Sequence, residues 1–221
     1  MTNQKVENSN SIRSDTVSDS DADSSITVDL TDGEVTNLAF GMPPTTTVDW
    51  FEFDEEIEDE FNDRLESVIR PRLQATMDEI LTCNPWLTGR YVSKRQFEYS
   101  ATRRWFDVQD MLVVVPSTST TTMPPLDPAL TSYQELFQLG QRSDLGLTLV
   151  HENYAKQPFW KVGLVPSTNR KSFAMYVSLS HGIGDGYCFY ALYNMLVGAS
   201  PVVSMNPERI SSTKQQQEEA M

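Results

Sequence analysis

The sequence is poor in several things, and each shortage excludes a class of function. It has two cysteines in 221 residues, Cys83 and Cys188. They are too few and too far apart for a disulfide framework or a thiolate metal site, so they read as reduced thiols in a core. No apolar run approaches the ~20 residues that would span a bilayer. The opening stretch Met1-Thr2-Asn3-Gln4-Lys5-Val6-Glu7-Asn8 is polar and lacks the apolar centre of a secretory signal. The expected compartment is the cytoplasm, with no transmembrane segment. No Lys/Arg cluster exists to neutralise phosphates, which excludes a nucleic-acid partner. There are only two histidines, and His151-Glu152 has no third ligand at a metal-site spacing, so no metal is expected.

What is abundant is acid, but only at one end. The formal charge is −14. Residues 1–66 carry 18 acids against Lys5, Arg13 and Arg64, a local charge of −15; the remainder sits at +1. The acidity therefore describes the N-terminal stretch and says little about a catalytic surface. Residues 1–45 are rich in Ser, Thr, Asp and Asn and short of large apolar groups. Such a composition does not offset its ordering entropy and predicts a disordered acidic tail. The expected organisation is that tail, a lobe over residues 46–205 beginning at the aromatic cluster Asp49-Trp50-Phe51-Glu52-Phe53, and a polar tail over 206–221.

Within the lobe, Ile57, Phe61, Leu65, Val68 and Ile69 recur at helical spacing. Pro71 predicts a stop or kink near Arg70 and suits the first turn of a second helix, whose buried stripe is Leu73, Met77, Ile80 and Leu81. Asn84-Pro85-Trp86-Leu87-Thr88-Gly89-Arg90 ends that helix, and Tyr91 to Tyr99 reads as a partly alternating strand. Trp105–Asp107 and Met111–Val115 read as strand pieces, 117–125 as a Ser/Thr/Pro loop, and Tyr133–Leu139 as a short helix. Phe159–Val165 and Lys171–Ser180 flank a short turn and predict an antiparallel hairpin. In the second of these strands Phe173, Met175, Val177 and Leu179 face one way, and Ala174, Tyr176, Ser178 and Ser180 the other. Helical spacing resumes from Tyr187 to Leu196, where Trp86 and the run Tyr187-Cys188-Phe189-Tyr190 are expected to be core.

The informative segment is Ser180-His181-Gly182-Ile183-Gly184-Asp185-Gly186. It places an imidazole where a strand ends and a tight turn begins, four residues before an aspartate at a helix start. A neutral imidazole there can take a proton from a hydroxyl or an amine. Asp185 can cap the helix or pair with a cation. The glycines keep side chains away and permit positive φ. The run lacks the Gly-x-Gly-x-x-Gly spacing and the Walker Lys of phosphate loops, and Ser178 and Ser180 form no nucleophile elbow.

His181, Asp185 and Gly186 resemble the His-x-x-x-Asp-Gly signature of the CoA-dependent acyltransferase superfamily, which includes chloramphenicol acetyltransferase, plant BAHD acyltransferases, wax ester synthase/diacylglycerol acyltransferases and condensation domains. The turn Asn84 to Arg90 is similar to the Pro-x-Leu-x-Gly-Arg turn near the start of these enzymes. The resemblance spans residues ~50–200, the N-terminal lobe of a two-lobed architecture. It implies an α/β fold: a mixed, largely antiparallel sheet with flanking helices. It implies His181 as the general base and Asp185 and Gly186 as structural support, with acyl-CoA as a co-substrate and no permanently bound cofactor. The implied reaction is acyl transfer from a thioester to an alcohol or amine. Many members have His-His where this chain has Ser180-His181. The second-lobe run resembling Asp-Phe-Gly-Trp is absent from this sequence. The alternative is therefore a non-catalytic truncated homologue that binds a partner, or an incomplete gene product. In either case the exposed lobe face is expected to support association.

Overall fold

The structure, a computed structural model, describes residues 24–39, 42–53, 64–115, 126–140, 145–147, 156–168 and 171–208. Order begins earlier than composition predicts. Strand β1 (Ser25–Asp29) pairs antiparallel with β4 (Gln96–Ser100), and helix α1 (Asp32–Ala39) follows it. The expectation of a disordered tail over 1–45 is therefore corrected for residues 24–39, and the lobe starts near residue 24 rather than 46. The physical reason is local. Thr31 and Glu34 form a reciprocal capping box: the Thr31 N–H donates to Glu34 Oε2 at 2.8 Å, and the Glu34 N–H to Thr31 Oγ1 at 3.4 Å. Leu30 is buried, and Val28, Val35 and Leu38 pack against the main core. Residues 1–23 and 209–221 lie outside the described residues.

Strand β2 (Thr45–Glu52) carries the aromatic cluster. The first half of the helix expected over 57–69 lies outside the described residues. The rest is a π turn (Leu65–Ile69) that runs into helix α2 (Arg70–Cys83) without stopping. Pro71 sits in the first turn of α2. It has no N–H to donate, and its ring crowds the carbonyl four residues back. The wide turn, in which the Arg70 N–H reaches back to Leu65 O, absorbs that misfit. Met77, Ile80 and Leu81 are fully buried, each removal from water being worth roughly 1.5–3 kcal/mol.

After a 3₁₀ turn (Pro85–Thr88) comes not one strand but two: β3 (Arg90–Ser93) and β4, an antiparallel hairpin turning at Lys94-Arg95. Trp105–Asp107 is not a strand. Asp107 instead caps a one-turn helix, α3 (Val108–Met111), in a second capping box, and β5 (Leu112–Val114) follows. Helix α4 (Tyr133–Gly140), strands β6 (Trp160–Pro166) and β7 (Ser172–Leu179), and helix α5 (Gly186–Leu196) complete the order.

These strands form two sheets. The small sheet runs β1-β4-β3; the large one runs β2-β7-β6-β5, antiparallel except for the parallel β5–β6 pair. Strand β7 is buried along its whole length. Phe173, Met175, Val177 and Leu179 enter the main core with α2 and α5, while Ala174 and Tyr176 enter a second cluster with Leu136, Leu139 and Leu145 on the other face. The alternation read from the sequence is the one observed.

Beyond α5 an extended strap, 201–208, is held by Asn84. Its Nδ2 donates to Ile80 O and Val203 O, each at 3.0 Å, and its Oδ1 accepts from the Met205 N–H at 2.7 Å. No helix among the described residues is long and apolar enough to cross a membrane.

Candidate active site

The site is built on the end of β7. The Ser180 N–H continues the β7–β6 pairing by donating to Phe159 O at 2.8 Å. The Ser180 carbonyl then accepts from the Ile183 N–H at 3.0 Å and the Gly184 N–H at 3.2 Å, which closes a tight turn around His181 and Gly182. Ile183 is fully buried and pins the turn to the core. Beneath lies an aromatic cluster, with Tyr91 and Phe97 each meeting Phe159 edge-on at 4.8 and 5.6 Å between centroids.

The glycines act through space rather than through backbone freedom. Among the described glycines only Gly198 has a positive φ, so the turn does not use the left-handed freedom that its glycines permit. A Cβ on Gly182 would lie 2.7 Å from Leu38 and 2.8 Å from the Tyr91 hydroxyl. A Cβ on Gly184 would lie 2.6 Å from Leu179 and 3.0 Å from Cys188 Sγ. Around Gly186 the space is open.

His181 is half-buried, and its two nitrogens are not equivalent. Nδ1 is sealed from solvent and has no hydrogen-bond partner among the described residues. The His181 carbonyl accepts from Asn37 Nδ2 at 3.5 Å. A small cavity of about 10 Å³ lies at the turn, lined by Asn37, Leu38, Gln157, Ser180 and His181 among others.

Asp185 is engaged by its own helix. It is the N-cap of α5, with Oδ1 accepting from the Cys188 N–H at 2.9 Å. Of the two roles open to it from sequence, capping is the one seen. Among the described residues no cation pairs with it. On α5, Phe189 is buried but Tyr187 and Tyr190 are 84% and 59% exposed, so the expectation of a wholly core aromatic run is corrected. Helical spacing puts these two tyrosines on the face opposite Phe189, Leu192 and Leu196.

The second sequence feature reaches the first through a residue that the sequence reading did not single out. The turn ending at Arg90 has Trp86, Leu87 and Thr88 buried, and it delivers Tyr91 to the His181 turn. The Tyr91 hydroxyl and Ser180 Oγ share a buried hydrogen bond of 2.9 Å. Asn37 and Leu38 were also missed, because their segment read as tail. The capping pattern Thr31-x-x-Glu34 before Val35 and Leu38 was the available signal. His151 and Glu152 lie outside the described residues. Among the described residues no group of three His, Cys, Asp or Glu could hold a metal.

No protein-family model and no curated protein sequence matches the chain. Solved structures do. TRI101 of F. graminearum complexed with ethyl coenzyme A aligns with a TM-score of 0.53 over 83% of this chain and 41% of that one, at 11% identity. TRI101 complexed with coenzyme A and T-2 mycotoxin gives 0.53 over 82% and 40%, at 13% identity. The starter condensation domain of rhizomide synthetase RzmA gives 0.45 over 88% and 45%, at 15% identity. The chain thus has the mixed α/β fold expected of chloramphenicol acetyltransferase-like acyltransferases, and it spans about two fifths of the length of these neighbours.

Proposed function

We propose that the chain is the first lobe of a CoA-dependent acyltransferase and that His181 is its general base. The carrying observation is the asymmetry of the imidazole: Nδ1 is sealed against the protein, which leaves Nε2 as the nitrogen a reactant can reach. In this reading an alcohol or amine acceptor gives its proton to Nε2 as its oxygen or nitrogen attacks the thioester carbonyl. The carbon–sulfur bond then breaks, and the departing CoA sulfur takes the proton from the imidazolium. Histidine returns to its neutral form, and the acyl group has moved from sulfur to oxygen or nitrogen.

The supporting groups have separate tasks. Asp185 fixes the start of α5 and so the exit of the turn. Gly186 supports the same start, as the first residue of α5. The Tyr91–Ser180 hydrogen bond holds the residue on which the turn closes. Acyl-CoA enters as substrate; the likeness to structures holding coenzyme A and ethyl coenzyme A supports that class of donor.

A span of two fifths of the neighbours' length also supports a second reading, in which the chain binds a thioester or a protein partner without turnover, since an acyltransferase tunnel encloses its substrates from two sides. The test is release of free CoA from acyl-CoA by the full chain, with alcohol and amine acceptors. His181→Ala should lower the rate by ~10²–10⁴-fold with the fold intact. Full turnover in that variant refutes the base assignment. Binding of acyl-CoA without any CoA release, with or without His181, selects the second reading.

A further inference from the structure

A larger concavity lies at the other end of α5 from the His181 turn. It is a slot of about 240 Å³ on the main-core face of the large sheet, between the first turns of α2 and the end of α5. Phe51 of β2 and Phe173 of β7 stand opposite each other in it and stack at 5.4 Å, with Met175 next along the same face. Leu73 on α2 and Leu196 on α5 line it from the helices. Residues 180–186 contribute nothing to this lining, and the eleven residues of α5 span about 16 Å between the two places.

The lining is apolar with one cation. Phe51, Leu73 and Val197 are only half-buried, so the described residues leave apolar surface uncovered there. Arg72 is the single charged side chain among the described lining residues, and Thr76 the single other polar one. Helical spacing puts Arg72, Leu73 and Thr76 on one face of α2, so the guanidinium rises beside the apolar wall. Arg70, two residues earlier, pairs with Glu66 at 2.8 Å. Arg72 is exposed and has neither an ion pair nor a side-chain hydrogen bond among the described residues. Gly198, at φ +76, turns the chain off the end of α5 and places no side chain in the slot.

A ligand for such a slot needs an apolar body and one anionic end. Sugars and nucleotides carry many polar groups, which this lining would leave unpaired. A guanidinium meets a carboxylate through two parallel N–H donors. The volume exceeds the ~150 Å³ of an apolar cavity that accepts benzene, and at ~30 Å³ per water-sized group it holds about eight methylenes. We propose that the slot binds a monocarboxylate with an apolar body of about eight carbons, its carboxylate on Arg72 and its body against Phe51, Phe173 and Met175.

Octanoate is the probe, titrated into the full chain. The chain has nine methionines, so ¹³C-methyl labelling of methionine gives a readable set, and Met175→Leu assigns the one in the slot. Octanoate should move the Met175 methyl saturably, with a Kd of roughly 1 mM, the worth of a ligand this small. Butyrate, four methylenes shorter, should bind about 200-fold more weakly. Arg72→Gln should weaken octanoate about three- to fivefold, as loss of an exposed ion pair does, and leave 1-octanol unchanged. Thr76→Phe fills the slot and should abolish the shift; if that variant does not fold, Thr76→Met serves as the smaller plug. An unmoved Met175 methyl, butyrate equal to octanoate, a plugged chain that still responds, or Arg72→Gln acting on 1-octanol as much as on octanoate each overturns the assignment. His181→Ala should leave the octanoate Kd unchanged, and a loss there would put the ligand at the turn and not in the slot. The inference does not rest on acyl transfer: a chain that binds octanoate here and releases no CoA refutes that reading alone.

Discussion

The two polar side chains of the turn, His181 and Asp185, should separate under mutation, and Asp185 gives the sharper test. Its carboxylate accepts from the Cys188 N–H at 2.9 Å and lies at the positive end of α5. Asp185→Ala removes both the hydrogen bond and the charge. Replacing an N-cap acid by Ala costs about 0.5–2 kcal/mol. Asp185 is exposed, so water can partly replace it at the freed N–H, and about 1 kcal/mol is expected. In a lobe of this size that lowers Tm by about 2–4 °C. Asp185→Asn keeps the acceptor and loses only the charge–dipole part, roughly 0.3–1 kcal/mol. The order expected in thermal melts followed by circular dichroism is therefore wild type, then Asn, then Ala. CoA release should fall in the same order, because the carboxylate acts on the turn and not on the reactant. If Asn abolishes turnover while its Tm stays near wild type, the charge itself takes part in the chemistry and the capping account is wrong. If Ala melts with wild type, the cap is not holding α5.

The glycines of the turn should differ just as clearly. Gly182→Ala forces a Cβ to 2.7 Å from Leu38 and should destabilise by about 1–3 kcal/mol, whereas Gly186→Ala enters open space at the first helical position and should hold or raise Tm; equal melts would contradict the packing. Asn84→Ala should cost about 2–3 kcal/mol in urea unfolding, because it strands the Val203 carbonyl and the Met205 N–H, and a change under about 0.5 kcal/mol would mean the strap is not held there. Burial first, and then its hydrogen bond to Asp49, push the Tyr193 phenol from 10.0 up to about 12. Its folded form binds the proton more tightly than the unfolded chain does, so its contribution is complete below pH 10 and is lost as pH rises through about 12. Tyr193→Phe should flatten alkaline unfolding in that window, and an identical alkaline midpoint would count against the Tyr193–Asp49 contact.

Much of the lobe was legible because its signals are local and periodic. The β6–β7 hairpin, the two-faced alternation of β7, the buried stripe of α2 and the helical spacing of α5 all follow from side-chain periodicity, which survives any detail of packing. The hairpin β3–β4 was not legible. Its turn is Lys94-Arg95, without the Gly or Asn that marks most two-residue turns, so Tyr91 to Tyr99 looked like one strand. Trp105 misled in a related way: an aromatic run suggests a strand, but Arg90 and Arg103 lie over its ring at 5.4 and 5.5 Å, and Asp107 starts a helix immediately after it. The exposure of Tyr187 and Tyr190 is a matter of phase, since an aromatic run on a helix cannot be core on every side.

The most consequential misreading concerns residues 24–39, and it has a physical cause. A composition argument averages over a window and asks whether the segment could bury enough surface to order itself. That is the wrong question for a segment that docks. Strand β1 is ordered by pairing with β4, and α1 by a four-residue capping box and by Val35 and Leu38 meeting a core that the rest of the chain supplies. The average over 1–45 is set by the acidic and hydroxyl-rich stretch before Ser24, so the few apolar residues after it disappear into the mean. The same averaging hid Asn37 and Leu38, which lie against the His181 turn. The sequence names His181 and its strand, turn and helix. It cannot name what lands on that turn, because that depends on which distant segment docks there, and Asn37, which donates to the His181 carbonyl, is 144 residues away. In the reading proposed for this site the motif marks the imidazole, and the fold, by burying Nδ1, decides which of its nitrogens a reactant can reach.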